Sequence, residues 1–246
     1  MTRRVAGSVF AFVLCLAAPV RADDWLVKFS SGVDYTSGDY GDVENTDIIY
    51  LPFTAKVKYG HWTTKVTVPY VRIKGPGTVV VGGDTGPINT GATTIAVTTE
   101  DGLGDIVSSL SYEFDLERMN TFIDLTGKVK IPTADDKRNL GTGKTDYTVQ
   151  IDVTKMLNRF MALGTVGYKF VGSSARFQLD DVFFFSAGGG YQFSHTVSAG
   201  VIYDYRQAAS RTAQDPSEIV AYLNWRVNEH VGAHNFRRSA RTGHFW

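Results

Sequence analysis

The chain has 246 residues, of which 43% are hydrophobic and 20% are charged, and its 25 basic and 25 acidic residues give a formal net charge of +0. This balance gives no electrostatic reason to bind nucleic acid. The mean hydropathy is -0.11, and no apolar run of roughly 20 residues follows the N-terminal region, which excludes a bundle of membrane-spanning helices. A transmembrane β-barrel is not excluded, because only every second residue of its strands faces lipid.

The N-terminal segment has the features of a secretory signal peptide. Arg3 and Arg4 precede a mostly apolar stretch from Val5 to Val20, and the small residue Ala22 offers a cleavage site. We therefore predict a signal peptide over 1–22 and a single exported domain over 23–246. Cys15 is the only cysteine and leaves with the signal peptide, so no thiol chemistry is expected in the mature domain.

The first segment after the signal peptide alternates with a period of two. Apolar and polar side chains occupy opposite parities between Trp25 and Tyr35. On a helix the apolar members would scatter around the axis, whereas on a strand they share one face. Eleven tilted residues of about 3.3 Å each span roughly 25 Å, which is the height of the apolar band of a membrane barrel. The segment is predicted to be a membrane-spanning strand.

The same alternation recurs along the chain and predicts about ten strands. The later segments are 49–59, 62–70, 106–114, 123–131, 147–153, 160–170, 183–193, 197–205 and 219–227. A soluble β-sandwich or a lipocalin-like barrel also alternates. However, the apolar stripes here often end in aromatic residues, and the opposite parity is rich in charge, which a dry interior does not tolerate. The pattern favours a membrane barrel.

The connections between these segments alternate between short and long. Short connections fall at 60–61, 115–118, 157–159, 194–195 and 228–230, and long ones at 36–45, 74–104, 132–144, 172–180 and 207–217. Short periplasmic turns and longer extracellular loops are typical of transmembrane barrels. The predicted fold is an all-β, antiparallel transmembrane β-barrel of about 10–12 strands in the outer membrane of a Gram-negative bacterium.

The longest loop, 74–104, contains two short apolar runs, Val79 to Val81 and Ile95 to Val97. A loop of this length is usually functional or disordered. The runs could fold inward as a constriction, or extend the barrel above the membrane as a hairpin. The sequence leaves both arrangements open.

The charged residues on the polar parity are predicted to face the lumen, where any selectivity must lie. They are Lys28, Asp34, Lys56, Lys58, Lys65, Arg72, Asp124, Lys128, Lys130, Asp152, Lys169, Asp204, Arg206 and Arg226. In a barrel this small, opposite charges across the interior would pair and plug it. This argues against a wide pore and leaves a narrow channel, or a barrel that takes an apolar solute at its mouth and releases it sideways into lipid.

The order of several short motifs resembles a known family. The matching pieces are residues 35–40, 51–53, 68–70, 75–77, Gly102-Leu103-Gly104-Asp105, Lys130-Ile131-Pro132-Thr133-Ala134-Asp135, Gly141-Thr142-Gly143 and Asp146. They resemble the outer-membrane barrels associated with the meta-pathway of phenol and aromatic degradation, which are proposed transporters. The likeness runs from about Trp25 to Val227. It implies a barrel of about twelve strands and a role in the uptake of hydrophobic or aromatic compounds.

The chain departs from the family pattern at its end. The family pattern calls for two more strands, but 231–246 is long enough for one, and Arg237, Arg238 and Arg241 interrupt the alternation. A membrane barrel must close, and bacterial single-chain barrels have even strand counts. Either the barrel closes with ten strands or the terminus is altered. We favour the second interpretation and expect an irregular C-terminal end over 231–246.

The sequence gives little support for a catalytic site or a metal site. Barrel lipases and acyl transferases need a histidine beside a serine, whereas the histidines fall in predicted turns or in the C-terminal tail. They are His61, His195, His230, His234 and His244. We predict no catalytic residue, no cofactor and no metal site.

The predicted function is passive uptake of small hydrophobic or aromatic compounds. The expected partners are outer-membrane lipid, the barrel-assembly machinery and a small hydrophobic solute. A general narrow porin, or a structural or adhesion barrel acting through its outer loops, stays as the alternative, and an outer-membrane enzyme is less favoured. The sequence leaves the oligomeric state open.

Overall fold

The computed structural model describes residues 8–16, 20–22, 25–38, 44–82, 87–89, 97–173, 178–210, 215–226 and 231–241. The strands are β1 Ser8–Leu16, β2 Val20–Ala22, β3 Trp25–Gly38, β4 Thr46–Tyr59, β5 Trp62–Gly75, β6 Val79–Val81, β7 Pro87–Asn89, β8 Thr98–Leu103, β9 Ile106–Leu116, β10 Thr121–Ile131, β11 Asp146–Leu157, β12 Phe160–Phe170, β13 Val182–Gln192, β14 Val197–Arg206, β15 Ser217–Arg226 and β16 Val231–Arg241. Two 3-10 turns lie at Glu117–Met119 and Asp136–Arg138. None of the described helices is long and apolar enough to cross a membrane.

The main sheet closes into an antiparallel barrel. It contains 14 described strands, of which β2 continues along the edge of β3 and β8 pairs with the end of β5, so that twelve form the ring. The ring closes because β1 pairs with both β16 and β3. Closure leaves no unpaired strand edge in lipid. The prediction of an antiparallel transmembrane barrel of about 10–12 strands is confirmed, and closure with ten strands is not what the structure shows.

The alternation seen in the sequence separates an outer from an inner face. Large apolar side chains stay exposed along the outer face, and Phe29, Leu110, Leu125, Val149 and Val201 are between 44% and 55% exposed. A water-soluble barrel would bury such a band, and a contiguous apolar surface of this extent indicates contact with lipid or a partner. Together with the closed ring, the exposed band identifies the outer face as the lipid-facing one.

Aromatic side chains border this band near both ends of the barrel. At one end Trp25 stacks on Tyr59, with ring centroids 4.6 Å apart, and Phe160 meets Tyr191 edge to face at 4.8 Å. Toward the other end, Tyr168 and Phe170 lie 5.0 Å apart. Amphipathic rings at both borders are typical of the interfacial girdles of membrane barrels.

The two ends of the barrel differ in the length of their connections. At one end, called here the short-turn end, Gly60 and His61 join β4 to β5, and two residues join β11 to β12. At the opposite, long-loop end, the connection from β5 to β9 includes β6, β7 and β8. The predicted alternation of short and long connections is confirmed. The predicted short turn at 228–230 lies outside the described residues.

The C-terminal segment is more regular than expected. Residues 231–246 were expected to be irregular, but Val231–Arg241 pairs along its length with β15 and β1. Strand pairing uses backbone groups and tolerates interrupted alternation, so the arginines do not prevent it.

The N-terminal segment forms part of the ring in this chain. The predicted signal peptide, 1–22, contains β1 and β2. Its cleavage after Ala22 stays a prediction. Removal would take β1 out of the ring and leave β3 and β16 as its edges.

Candidate functional site at the long-loop end

Part of the connection from β5 to β9, Val79–Val81, folds into the barrel mouth. Val79, Val80 and Val81, together called the apolar plug, are 1%, 0% and 4% exposed. They form β6, which pairs with β7 in a small separate sheet. The inward arrangement left open by the sequence is therefore the one adopted by Val79–Val81. The strand β8 extends the sheet beside β5, whereas most of the second apolar run, Ile95 to Val97, lies outside the described residues.

The apolar plug makes contacts on both of its sides. Val79 and Val81 belong to a buried cluster with the wall residues Ile48 and Ile73 and with Leu140 of the β10–β11 loop. Val80 lies in a second buried cluster with Leu179 of the β12–β13 loop. Because alternate residues of a strand point in opposite directions, three consecutive valines connect the barrel wall to loops beyond the plug. The plug therefore lies across the lumen at this end.

A line of four buried charges lies beside the plug. Lys130 Nζ lies 3.2 Å from Asp105 Oδ2 and 3.0 Å from Asp146 Oδ2, and Lys169 Nζ lies 3.0 Å from the same oxygen of Asp146. Each of these four side chains is at most 2% exposed. This set, called here the ionic chain, alternates in sign along its length. Buried charges are retained only when they are paired in this way.

The ionic chain connects the loops of the long-loop end. Asp105 Oδ1 accepts a hydrogen bond from the backbone N–H of Ala134, and Asp146 Oδ1 accepts one from Gly172. Lys130 Nζ donates to Thr142 Oγ1 at 2.6 Å. Two loops and the segment before β9 are thereby fixed to the tops of β10, β11 and β12.

The ionic chain also reaches the plug itself. Lys169 Nζ donates to the backbone carbonyl of Gly82, which directly follows β6, at 3.3 Å. On the other side, Asn139 Nδ2 donates to the carbonyl of Gly77, and the Val81 N–H donates to the Asn139 carbonyl. The plug strand is therefore held at both of its ends by polar contacts, and its position depends on the charges.

A small cleft separates the plug from the rim of the barrel. It is lined by residues that include Thr46, Ile73, Val79 and Glu100. Arg138 lies at its edge, where its Nε donates to Glu100 at 2.6 Å. This hydrogen bond raises the pKa of the Arg138 guanidinium, so the guanidinium stays charged at physiological pH. The ion pair is half exposed and borders the cleft without filling it.

Gly141 allows the loop to pack against the ionic chain. A Cβ atom built there lies 2.7 Å from Ala134 Cβ and 2.8 Å from both carboxylate oxygens of Asp105. We expect Gly141→Ala to displace Asp105 and to lower the free energy of unfolding by about 1–3 kcal/mol, the usual cost of overpacking. Urea unfolding of the refolded barrel measures this. Gly127→Ala is the matched control, because nothing lies within 4 Å of its Cβ position; equal losses in both variants contradict the prediction.

Strand register gives the position of each charged residue predicted to face the lumen. Cross-strand partners share a face, and the buried Val71 and Ile73 mark the inner face of β5. The residues whose strand positions lie on the inner face are Lys28, Asp34, Lys56, Lys58, Lys65, Asp124, Lys128, Lys130, Asp152, Lys169, Asp204, Arg206 and Arg226.

Arg72 lies on the opposite, outer face. It shares the parity of the exposed Tyr70, and its cross-strand partner toward β8 is Asp101. Arg72 was predicted to face the lumen with the residues of the polar parity, whereas the alternation of β5 places it outside.

The interior differs between the two ends of the barrel. At the long-loop end Lys130 and Lys169 are buried and bound to carboxylates. Toward the short-turn end the side chains are more exposed. Lys58 and Glu113 form an ion pair at 3.0 Å, and their side chains are 34% and 28% exposed, respectively. The expected pairing of charges that closes the lumen is therefore found at the long-loop end. In the short-turn half, the paired charges stay partly exposed.

Several residues of the site were not predicted from the sequence. Asp105 and Asp146 were noted only as parts of motifs, because each lies at the start of a strand where alternation carries no information. Glu113 lies on the polar parity of β9, and that parity could have identified it. Among the described residues, no group of three or more His, Cys, Asp or Glu could hold a metal ion.

Comparison with known proteins supports the fold. No protein-family model matches the chain, and no curated protein matches it. An outer membrane channel from Pseudomonas putida F1 is similar in structure, with a TM-score of 0.54, 15% identity, and coverage of 98% of this chain and 96% of that chain. The CymD monoaromatic hydrocarbon channel has a TM-score of 0.50 and 9% identity, covering 98% and 89%. The β domain of the Bordetella autotransporter BrkA has a TM-score of 0.51 and 11% identity, covering 96% and 100%.

Proposed function

We propose that this chain is an outer-membrane channel through which small hydrophobic or aromatic compounds enter passively. The observation that carries the proposal is the apolar plug, a valine strand buried across the long-loop end of a transmembrane barrel. A hydrated sugar loses hydrogen bonds on meeting such a surface, whereas an apolar solute gains contacts there.

The position of the protein in the membrane follows from its outer face. The exposed apolar band and the aromatic borders suit a bilayer. Export by the predicted signal peptide over 1–22 and insertion by the barrel-assembly machinery are parts of the proposal. With the short turns in the periplasm, the plug faces the cell exterior, where it is the first part of the lumen that a solute meets.

Two of the similar structures are outer-membrane channels, one of them a monoaromatic hydrocarbon channel. This agrees with the proposed solute class. The link to ring-cleaving metabolism, implied by the sequence resemblance, is likewise a proposal. None of these relations points to an enzyme.

A general narrow porin is the second candidate. The observation that favours it is the open short-turn half of the lumen, where charged side chains such as Lys28, Lys56 and Lys65 are exposed. A porin of this kind would pass any solute small enough once the plug moves.

Solute uptake distinguishes the two candidates. Toluene crosses pure phospholipid readily, so the assay uses outer-membrane vesicles that keep their lipopolysaccharide leaflet, from a Gram-negative host without general porins. We expect vesicles containing the protein to take up radiolabelled toluene faster than empty vesicles, with no gain for glucose. Equal gains for both solutes indicate a general porin. No gain for either, from protein shown to be folded by heat-modifiable gel mobility, overturns the channel proposal.

A further inference from the structure

The inner wall from β12 to β15 carries an uncharged, largely apolar patch in its short-turn half. The strand register aligns the patch in two cross-strand rows, each with one residue from each of the four strands. One row consists of Leu163, Gly188, Ile202 and Val220, and the next of Met161, Gly190, Gly200 and Tyr222. Both rows share the parity of Thr165 and Asp204, which is that of the inner face. This set is called here the inner apolar patch.

Packing within the protein does not account for the inner apolar patch. Leu163, Ile202 and Tyr222 stay partly exposed to the lumen, and none of the three belongs to a buried apolar cluster among the described residues. The lumen of a membrane barrel is ordinarily polar, and lipid does not reach it. Apolar surface in contact with water is unfavourable. The patch therefore favours a solute with an apolar body over water.

The side chain of Tyr222 lies along this wall. Its cross-strand partner on β14 is Gly200, and Gly190 follows on β13. A Cβ atom built at Gly200 lies 2.6 Å from both Cζ and Oη of Tyr222, and one built at Gly190 lies 3.3 Å from Cζ and closer still to Oη. Because neighbouring strands are about 4.8 Å apart, the side chain extends from β15 across β14 toward β13. It does not project toward the barrel axis, and the two glycines leave it room.

Phe184 lies along the wall in the same way, nearer to the plug. Its cross-strand partner on β12 is Gly167, and a Cβ atom built at Gly167 lies 2.8 Å from Phe184 Cε2. Phe184 is the third residue of β13 from the long-loop end. Leu179, in the loop just before this strand, lies in the buried cluster of Val80. One ring therefore lies close below the plug, and the other lies in the short-turn half.

These two rings are the aromatic groups at the described inner positions of β12–β15. Both are partly exposed to the lumen. One polar row, which includes Ser186 and Asp204, separates Phe184 from the inner apolar patch. The wall below the plug thus offers an aromatic ring, a single polar row and then an apolar surface with a second ring.

An aromatic ring that lies along the wall can distinguish an aromatic solute from an aliphatic one. Aromatic pairs pack offset-stacked or edge to face, and they gain free energy beyond the burial of apolar area. A saturated ring of similar size gains only from the burial of area. Since both side chains lie against the wall, they present this surface without blocking the lumen.

We infer that Phe184 and Tyr222 are two contact sites for a small aromatic solute, which passes from the plug to the periplasm along the β12–β15 wall. The inference rests on the proposed function and deepens it, because it assigns the path and the residues that favour an aromatic over an aliphatic ring. Elsewhere in the short-turn half the inner wall carries charges such as the Lys58–Glu113 pair. Covering charged groups with an apolar body removes their hydration, so the solute stays on the β12–β15 side.

Uptake of toluene and methylcyclohexane tests the preference for an aromatic ring. In the outer-membrane vesicles described above, we expect the wild-type protein to raise toluene uptake about two- to tenfold more than methylcyclohexane uptake, the range that one aromatic pair provides. Tyr222→Leu keeps an apolar side chain but removes the ring, and it should lower this ratio. The double variant Phe184→Leu, Tyr222→Leu should abolish the preference, whereas Tyr222→Phe should keep it. Tyr203→Leu is the matched control, because Tyr203 lies on the lipid-facing parity of β14.

A second variant moves the Tyr222 ring without removing it. Gly190→Ala places a methyl group against Tyr222 Oη, and it should displace the ring from β13 and lower the toluene preference. Gly189→Ala is its control, because the nearest atom to that Cβ position is a backbone oxygen at 3.4 Å. This pair gives the same comparison if Tyr222→Leu does not fold.

Fluorine NMR tests the contact independently of transport. The protein is labelled with 3-fluorotyrosine and placed in lipid nanodiscs, and Tyr222→Phe and Tyr203→Phe identify the two signals. We expect benzyl alcohol to shift the Tyr222 signal saturably through its ring current, and to shift the Tyr203 signal less. Cyclohexylmethanol, which has the same shape class without the aromatic ring, should have little effect on the Tyr222 signal.

The outcomes separate this inference from the proposed function. Equal protein-dependent uptake of toluene and methylcyclohexane, or a preference that the double variant keeps, overturns the aromatic contact sites and leaves the hydrophobic channel. An aromatic-specific shift of the Tyr222 signal, without uptake of either hydrocarbon, supports the contact site and overturns the proposed function. A Tyr222 signal that responds equally to both alcohols overturns the contact site at Tyr222.

Discussion

Asp146→Asn is expected to lower the free energy of unfolding by about 3–5 kcal/mol, the usual cost of removing one partner from a buried ion pair. Asp146 is the shared carboxylate of the ionic chain, 3.0 Å from the ammonium groups of both Lys130 and Lys169. Asparagine keeps the shape but removes the charge, so that the buried ammonium groups of Lys130 and Lys169 lose the carboxylate that they share. The substitution should also release the plug, since Lys169 is bonded to Gly82 beside it.

Two measurements check this prediction. Urea unfolding of the refolded barrel gives the loss of stability, and single-channel recording should show more frequent open events. Glu113→Gln is the control: it breaks an ion pair of similar length whose side chains are 28–34% exposed, and such pairs are worth at most about 1 kcal/mol. Equal losses in Asp146→Asn and Glu113→Gln contradict a structural role for the ionic chain.

A double-mutant cycle isolates the contribution of the pair. If Asp146 acts through Lys169, replacing Lys169 by Met in the Asp146→Asn background should recover part of the stability, because it removes the uncompensated charge. Additive losses would show that the two side chains act independently.

The strands could be predicted from the sequence because neighbouring residues of a strand face opposite sides, and lipid favours apolar side chains whereas the lumen favours polar ones. From Trp25 to Tyr35 the polarity of each side chain indicates the face of the strand on which it lies, and β3 is observed over Trp25–Gly38. Arg72 shows the strength of the rule: it was counted with the lumen-facing charges, whereas the alternation of β5 places it outside with Tyr70. Local periodicity was the better guide.

The plug and the ionic chain could not be predicted from alternation in the same way. Val79, Val80 and Val81 have no alternation, and their partners Leu140 and Leu179 are distant in sequence. Asp105 and Asp146 could be noted as motif residues, but their meeting at Lys130 depends on the register of three strands. Long-range pairing of this kind is fixed by closure of the barrel.

The N-terminal segment shows a different limit of prediction from the sequence. Residues 8–16 are apolar apart from Ser8, which suits both a signal peptide and a lipid-facing strand, and they form β1 in this chain. Whether they stay in the barrel depends on proteolytic processing as well as on folding free energy.

The triple substitution Val79→Ser, Val80→Ser, Val81→Ser is expected to open the long-loop end. Fully burying one valine contributes about 1.5 kcal/mol, so the three side chains hold the plug in place with a free energy on the order of 4 kcal/mol. Serine removes most of this and places hydroxyl groups in two apolar clusters. The undocked loop should leave a wider, polar path through the barrel.

Single-channel conductance and glucose uptake measure the effect. We expect larger conductance and glucose entry into vesicles that exclude glucose when they contain the wild-type protein. Val97→Ser is the matched control, because Val97 belongs to the same β5–β9 connection but is 49% exposed, and it should behave as wild type. Unchanged conductance in the triple variant contradicts a closing role for the plug.

The ratio of toluene uptake to glucose uptake tests more directly than conductance whether the plug is the selective element. If the plug is the selective element, opening it should lower this ratio by admitting glucose, while toluene uptake stays the same or rises. If the ratio stays at the wild-type value although conductance rises, selectivity lies elsewhere in the lumen. The charged residues of the inner wall below the plug, such as Lys28, Lys56 and Lys65, would then be the structural feature to test next.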